Sequence, residues 1–352
     1  MGQGIAYAAL KSGLRVHLHD LFPKAIHKAV MDTEIQLGKE VKKGRFSPEE
    51  AKAIRDNLTF NYGPEPDVEG VEFVIEAILE TIEAKHQALT ALETRLPADA
   101  IIATNTSSIL PSDIAAPLVH KDRFCAMHFF GPVHAMELVE IVGTAETSKE
   151  TLATTLALTR KIGKVPMLLE KECAGLVVNR VLVQGMALAL YQLIYAEMDP
   201  WTQDRILEGQ GMEMGPFKTI DLVGFDTAYH VMKMMTHYYP DDYKRWKLAD
   251  LELHKFKDLL GKKTGKGFYI WENGQAVGPN KEILKRFGWL TGSDHKIDPK
   301  HAAQNIRTFM RNEATALVGE RICSDPNMVD LSLILGAGLF PNRRGLLKNP
   351  LL

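Results

Sequence analysis

The sequence predicts an α/β domain on a largely parallel sheet, followed by helical domains. Two observations carry this. Up to about residue 172, short β-prone apolar runs alternate with stretches whose apolar residues recur at helical spacing. Past Glu172-Cys173-Ala174-Gly175 the pattern is helical throughout, which places the domain boundary there.

The first element is unusual. Met1-Gly2-Gln3-Gly4-Ile5-Ala6 reads as the second half of the G-x-G-x-x-G dinucleotide motif. In that motif two glycines close the turn after the first strand and admit the pyrophosphate, and the third lets helix and strand pack closely. Gly2 matches the third glycine, whereas the first strand and the first two glycines have no counterpart. The domain expected is therefore Rossmann-like with its first strand missing. That strand is central in a doubly wound sheet, so its neighbours are expected to lack a partner. Weak NAD binding or marginal stability is expected unless upstream residues or another segment fill the gap.

A helix over 6–12 ends at Gly13, and a strand over 14–19 ends at Asp20. A carboxylate there is placed to bond a ribose 2′-hydroxyl, and no arginine follows it, which favours NAD over NADP. The plain alternative for Asp20 is an ordinary turn residue. Residues 23–58 read as helical, with a second helix beginning at Ser47-Pro48-Glu49-Glu50, a cap followed by proline and acids. A strand over 71–77 runs into Ile78-Leu79-Glu80. A buried strand over 101–103 ends in Thr104-Asn105-Thr106-Ser107-Ser108. Ligands of open parallel sheets lie off the carboxyl ends of strands, so these hydroxyls are expected to face the crevice. Helix capping is the other reading of Ser107, and Ser112 suits that job better.

Two strands, over 122–130 and 138–142, flank a Gly131-Pro132 turn and carry His128 and Glu140. A neutral imidazole can take a proton near neutral pH, and a carboxylate on its other nitrogen fixes the tautomer and stabilises the imidazolium. A histidine satisfied inside the core is the alternative. A helix over 148–162 and a strand over 165–169 complete a domain of residues 1–172.

The second domain, 173–272, opens with a long apolar helix over 175–195 suited to a bundle, interrupted by Asn179 and Arg180. Gly209-Gln210-Gly211-Met212-Glu213-Met214-Gly215-Pro216-Phe217 invites the label of phosphate cradle. No strand precedes it, so it is assigned to packing between helices. Lys262-Lys263-Thr264-Gly265-Lys266-Gly267 is a basic turn near the end. Residues 273–300 are polar and read as a linker. Residues 301–352 read as a partial repeat, since Asp330 followed by Gly336-Ala337-Gly338 echoes Asp204 followed by Gly209-Gln210-Gly211.

The segment HFFGPVHAMELVE resembles the histidine-to-glutamate stretch of the 3-hydroxyacyl-CoA dehydrogenases of fatty-acid β-oxidation. MGQGIA, EAILETIEAK, ATNTSS, CAGLVVNR, GMEMGPFKTIDLVGFDTAYHV and GKKTGKGFY extend the likeness, in order, over nearly the whole chain. The resemblance implies NAD as cofactor and an acyl-CoA as substrate. It implies His128 as base, Glu140 as its partner, and Ser107 and Asn179 as substrate-aligning residues. It also implies that Met1, Gly2, Asp20, Ile78, Leu79, Glu80, Lys85, Ser107, Gly131 and Lys263 line the cofactor. Many relatives have asparagine where this chain has Gly131, a loss expected to tune activity. For Asn179 a buried amide keeping two domains in register is the alternative, and for Glu80 and Lys85 an exposed pair at a helix start. The basic residues Lys39, Lys42, Lys43 and Arg45 read as a solvated helix face before a contact for coenzyme A phosphates. Tandem helical domains are typical of multifunctional β-oxidation proteins, so a homodimer or a complex partner is implied.

Bulk properties exclude other classes. The 352 residues carry a net charge of −2, with 45% hydrophobic and 24% charged residues. That balance argues against nucleic acid held by general electrostatics. The 3 cysteines are scattered without metal-ligand spacing, which points to no metal, no disulfide framework and a reducing compartment, bacterial cytoplasm first and an organelle second. No apolar run reaches about 18 residues, so no membrane span is expected. Two rival readings are a non-catalytic module with the dehydrogenase fold and a dehydrogenase for a free hydroxy acid.

Overall fold

The computed structural model describes residues 1–239, 256–287, 297–341 and 345–348. The chain divides into two compact units, Met1–Glu172 and Cys173–Leu352.

In the first unit, α1 (Gly2–Lys11) leads to β1 (Val16–Asp20), α2 (Pro23–Lys42), α3 (Pro48–Asp56) and β2 (Leu58–Tyr62). Then follow β3 (Phe73–Glu76), α4 (Ile82–Glu93), β4 (Ile101–Thr104), α5 (Pro111–Ala115), β5 (Phe124–Phe129), β6 (Leu138–Gly143), α6 (Lys149–Lys161) and β7 (Val165–Leu168). Strands β3-β4-β5-β6-β7 form one sheet in that order, parallel except between β5 and β6. Strands β1 and β2 pair in parallel with each other, from Val16 opposite Leu58 to Asp20 opposite Tyr62, as a separate ribbon. Among the described residues β1 bonds only β2 and β3 only β4, so the ribbon and the five-stranded sheet share no strand pairing. Burial follows this division: every residue of β5 is buried, whereas every residue of β1 is only half-buried.

Local chemistry accounts for the elements around the sheet. Ser47 caps α3 in a reciprocal box, its Oγ accepting from Glu50 N at 3.1 Å while Glu50 Oε2 accepts from Ser47 N at 2.7 Å. Helix α1 lies close on the turn between β5 and β6 because residue 4 is glycine: a Cβ there would stand 3.0 Å from the Val133 side chain. Ile5 and Ala8 of α1 thereby join a core with Ala103, Cys125, Met127, Phe129, Val139 and Ile141.

Two local expectations are corrected. The helical reading of 23–58 stops at Asp56, because Leu58-Thr59-Phe60-Asn61-Tyr62 extends along β1 as β2. Ser112 does not cap α5; Pro111 takes the first turn and the Ser112 N–H donates to Glu172 Oε2 at 2.8 Å.

In the second unit, α7 (Val178–Ala196), α8 (Pro200–Gly209), α9 (Pro216–Val223) and α10 (Phe225–Tyr238) precede an antiparallel hairpin, β8 (Tyr269–Glu272) and β9 (Gln275–Pro279). After it come α11 (Glu282–Arg286), α12 (Pro299–Gly319) and α13 (Pro326–Ala337). The unit is thus helical but not all-α. The stretch 273–300, expected to be a linker, contains β9 and α11, with 288–296 outside the described residues. Buried Asp221 pins the hairpin by accepting from Phe268 N at 2.9 Å, Tyr269 N at 2.8 Å and Trp271 Nε1 at 3.0 Å. Rings of Phe217, Phe225, Phe256, Phe268 and Phe287 pack beside it.

The glycine-rich loop 209–217 serves helix packing. Asp204 accepts from Phe217 N at 3.0 Å and Lys218 N at 2.8 Å, anchoring the start of α9. Asp330 does the same further on, accepting from Leu346 N at 2.7 Å, Leu347 N at 2.8 Å and Lys348 N at 3.0 Å. A Cβ on Gly215 or Gly345 would come within 2.3 Å of the respective carboxylate, so each aspartate is matched to a glycine. The final residues of the expected repeat, 349–352, lie outside the described residues. Arg180, on α7, is buried and bonded to Glu313 of α12 and Glu320 just beyond it, its guanidinium 4.8 Å from the Tyr239 ring.

Candidate active site

Strand pairing builds the site. Antiparallel register sets His128 of β5 directly opposite Glu140 of β6, and cross-strand partners project to the same face. The neighbours Met127 and Phe129 point the other way, into the core. His128 Nδ1 lies 2.9 Å from Glu140 Oε2, with His128 5% exposed and Glu140 fully buried. A carboxylate only accepts, so Nδ1 carries the proton and donates. Nε2 then holds the lone pair, and it has no hydrogen-bond partner among the described residues. The Phe130 ring meets the imidazole edge-on at 4.5 Å. The Gly131-Pro132 peptide is cis.

The turn after β4 is tied to this strand. Asn105 Oδ1 accepts from Phe129 N at 2.8 Å, and Asn105 N donates to Glu76 O at 2.7 Å. The carboxyl ends of β3, β4 and β5 are thereby held together. Ser107 sits on that turn, its N–H donating to Glu80 Oε1 at 2.8 Å. Glu80 also accepts from Thr106 Oγ1 at 2.7 Å and Ser108 N at 3.1 Å. Burial pushes the Glu80 carboxyl up, but the charge of Lys85 and the bonds from Thr106 and Ser107 outweigh it and hold the group below its usual range. Cys125, in the same strand as His128, is no nucleophile: burial pushes its thiol up to about 11.

The cofactor residues inferred from sequence fall into two groups. Met1 lies over Gly131, where a Cβ would meet its sulfur at 3.6 Å, and Gly2 faces Ala77, so the start of α1 stands at the ends of β3 and β5. The first turn of α1 carries no acid, Asp20 closes β1, and Ile78 and Leu79 are exposed. A helix start free of negative charge and a carboxylate at the end of β1 are parts a dinucleotide site uses, and Asp20 Oδ1 also accepts from Phe22 N at 2.9 Å, as a turn residue would. Lys85, by contrast, is turned inward, 1% exposed, with its ammonium bonded to Glu76 and Glu80. Burial between carboxylates leaves it no direct reach to a ligand. In the second unit, Lys263 Nζ donates to Asp226 Oδ1 at 2.8 Å and Thr227 Oγ1 at 2.7 Å, and Asn179 is half-buried in the first turn of α7. No cluster of metal ligands occurs among the described residues.

Sequence reasoning missed Glu76 and Asn105. Both stand at strand ends with no local pattern of their own; only their pairing across strands marks them.

Residues 1–173 match the family model for the 3-hydroxyacyl-CoA dehydrogenase NAD binding domain, and residues 175–271 match the C-terminal domain of the same family. The chain belongs to the 3-hydroxyacyl-CoA dehydrogenases. NAD is the cofactor of this family's first domain. The fatty acid oxidation complex subunit alpha of Psychrobacter arcticus is 34% identical over 355 residues, covering 98% of this dehydrogenase-family chain and 48% of the relative. The chain thus spans about half the length of the curated relatives it matches. The solved (S)-3-hydroxybutyryl-CoA dehydrogenase of Ralstonia eutropha is 31% identical with a TM-score of 0.71, covering 78% of this chain and 96% of that one. The 3-hydroxybutyryl-CoA dehydrogenase of Escherichia coli K12 shares the fold, with a TM-score of 0.77 at 22% identity over 96% of this chain and 87% of that one.

Proposed function

We propose that the chain oxidises an L-3-hydroxyacyl-CoA to the 3-ketoacyl-CoA with NAD⁺, a step of fatty-acid β-oxidation. The observation that carries this reading is the His128–Glu140 pair, 2.9 Å apart with Nε2 of the imidazole left to accept a proton. NAD⁺, when bound, supplies the acceptor for the hydride that leaves C3. His128 Nε2 takes the proton of the C3 hydroxyl as the C3–O bond becomes a carbonyl, and buried Glu140 stabilises the imidazolium that forms. Ser107 and Asn179 align the substrate oxygens, restricting it to a reactive geometry. Met1, Gly2, Asp20, Ile78, Leu79 and Gly131 hold the cofactor, and Lys263 is assigned to it as well; Glu80 and Lys85 act from behind Ser107.

The same reading takes 1–172 as the cofactor domain, 173–272 as the helical partner and 301–352 as a partial second copy of it. A partner in a β-oxidation complex, or a second copy of the chain, fits that arrangement, as does the bacterial cytoplasm. No helix among the described residues is long and apolar enough to cross a membrane.

The test is turnover of acetoacetyl-CoA with NADH, followed by the loss of NADH absorbance. His128→Gln should lower turnover by roughly two to four decades with NADH affinity nearly unchanged. Turnover near that of the wild type would remove His128 from the chemistry. Free acetoacetate turning over as fast as its CoA ester would instead favour a dehydrogenase of free acids. No turnover of either by the folded wild type would favour a non-catalytic module.

A further inference from the structure

Behind the turn that carries Ser107 lies a buried charge cluster. Glu76, the last residue of β3, is 6% exposed. Its Oε1 accepts from Lys85 Nζ at 2.8 Å and from Ile78 N at 2.8 Å, and its Oε2 from Lys85 Nζ at 2.9 Å and from Thr104 Oγ1. Lys85 Nζ also reaches Glu80 Oε2 at 3.1 Å. The other oxygen of Glu80 is where Thr106 Oγ1, Ser107 N and Ser108 N converge, with the hydroxyls of Ser107 at 3.4 Å and Ser108 at 3.2 Å.

The cluster holds two carboxylates and one ammonium, an excess of one negative charge at the carboxyl ends of β3 and β4. Burying such a set carries a desolvation penalty of several kcal/mol per ion, and apolar residues of similar volume would often be at least as stable. What ions provide here and apolar groups cannot is a fixed acceptor. Glu80 Oε1 gathers three consecutive residues of an otherwise irregular turn, and its second oxygen is held by Lys85. Lys85 is in turn held in place by both oxygens of Glu76. Thr104 and Ile78, on the two strands' exits, bond the same carboxylate, so the anchor spans β3 and β4 together.

We infer that Glu76 is a positioning residue for Ser107, acting through Lys85 and Glu80. It touches neither substrate nor cofactor; it sets where the Ser107 hydroxyl stands. The inference rests on the activity proposed above, and its tests separate the two. With the wild type active on acetoacetyl-CoA, a cycle of Glu76→Gln, Ser107→Ala and the double variant reads the coupling. Glu76→Gln should lower kcat/KM roughly tenfold when Ser107 is present and less than about twofold in the Ser107→Ala background. Glu76→Asp should restore part of the loss. Equal losses in both backgrounds would mean that Glu76 acts elsewhere, and would overturn the inference.

Amide hydrogen exchange gives a readout that needs no activity. Glu76→Gln should speed exchange of the Ser107 and Ser108 amides about tenfold or more while Met127 and Ile141, within the β5–β6 ladder, keep their protection. Should the single variant unfold, Glu76→Gln with Lys85→Met removes both charges of the anchor, and the same local exchange is expected. Unchanged rates at Ser107 and Ser108 in a folded variant would sink the inference even if the dehydrogenase activity stands. If the wild type turns over neither substrate, the exchange result alone decides.

Discussion

Replacing Glu140 by glutamine tests the proposed chemistry at its most quantitative point. The amide keeps the volume and can still accept from His128 Nδ1, but it removes the charge that stabilises the imidazolium. With Nδ1 and Oε2 2.9 Å apart, the charge centres lie about 4 Å from each other. At an effective dielectric of about 20 a unit pair at that distance interacts by about 4 kcal/mol. Glu140 is fully buried and His128 nearly so, and solvent therefore screens the pair little. The amide dipole replaces part of the interaction, leaving a loss of about 2–3 kcal/mol in the step that forms the imidazolium, or roughly 30- to 150-fold in kcat. The assay is steady-state reduction of acetoacetyl-CoA, with NADH affinity measured separately by calorimetry. Thermal unfolding of the first unit should change little, since the amide oxygen still accepts from His128 Nδ1 and a buried charge has been removed. A kcat within threefold of wild type would refute the reasoning, as would a loss confined to NADH affinity.

Three other outcomes follow from the packing and the charges. Gly215→Ala and Gly345→Ala should each destabilise the second unit by about 3 kcal/mol or more, read by chemical denaturation, because a Cβ would meet a buried carboxylate at 2.3 Å. Arg180→Met should lower the second unit's stability by about 3–5 kcal/mol, since Glu313 and Glu320 lose a buried partner; a double change with Glu313→Gln should recover part of it. Glu80 is held below its unfolded value of 4.5, so the folded state binds fewer protons there than the unfolded chain. The stability it lends is present above pH 4.5 and lost as pH falls through its lowered native value, and Glu80→Gln should flatten that part of the acid-unfolding curve.

How much the sequence discloses depends on whether the information is local. His128 and Glu140 could be paired in advance because a Gly-Pro turn joins two short β-prone apolar runs, and two strands joined by a tight turn come together locally. The helical second half was visible in the apolar spacing of α7. Strand β2 was not, although Leu58-Thr59-Phe60-Asn61-Tyr62 alternates apolar and polar residues, because it is short, mostly exposed and follows directly on the capped helix α3. Strand β9 fell in the stretch read as a polar linker and β8 in the helical domain, since what fixes the hairpin is Asp221, 47 positions before Phe268. Lys85 was expected to line the cofactor, with an exposed place at a helix start as the alternative; its burial comes from Glu76, 9 positions away across a strand-to-helix bend. The counterpart of Asp204 at Asp330 was legible as a repeat, but its role in gathering amide groups shows only once the glycines beside each are seen in space.

The antiparallel pairing of β5 with β6 has a consequence for assembly. His128 and Glu140 stand only 12 positions apart, so the segment that brings them together closes a short loop. By loop length alone the pair assembles ahead of the parallel pairings of β4 with β5 and of β6 with β7, whose partners lie further apart in the chain.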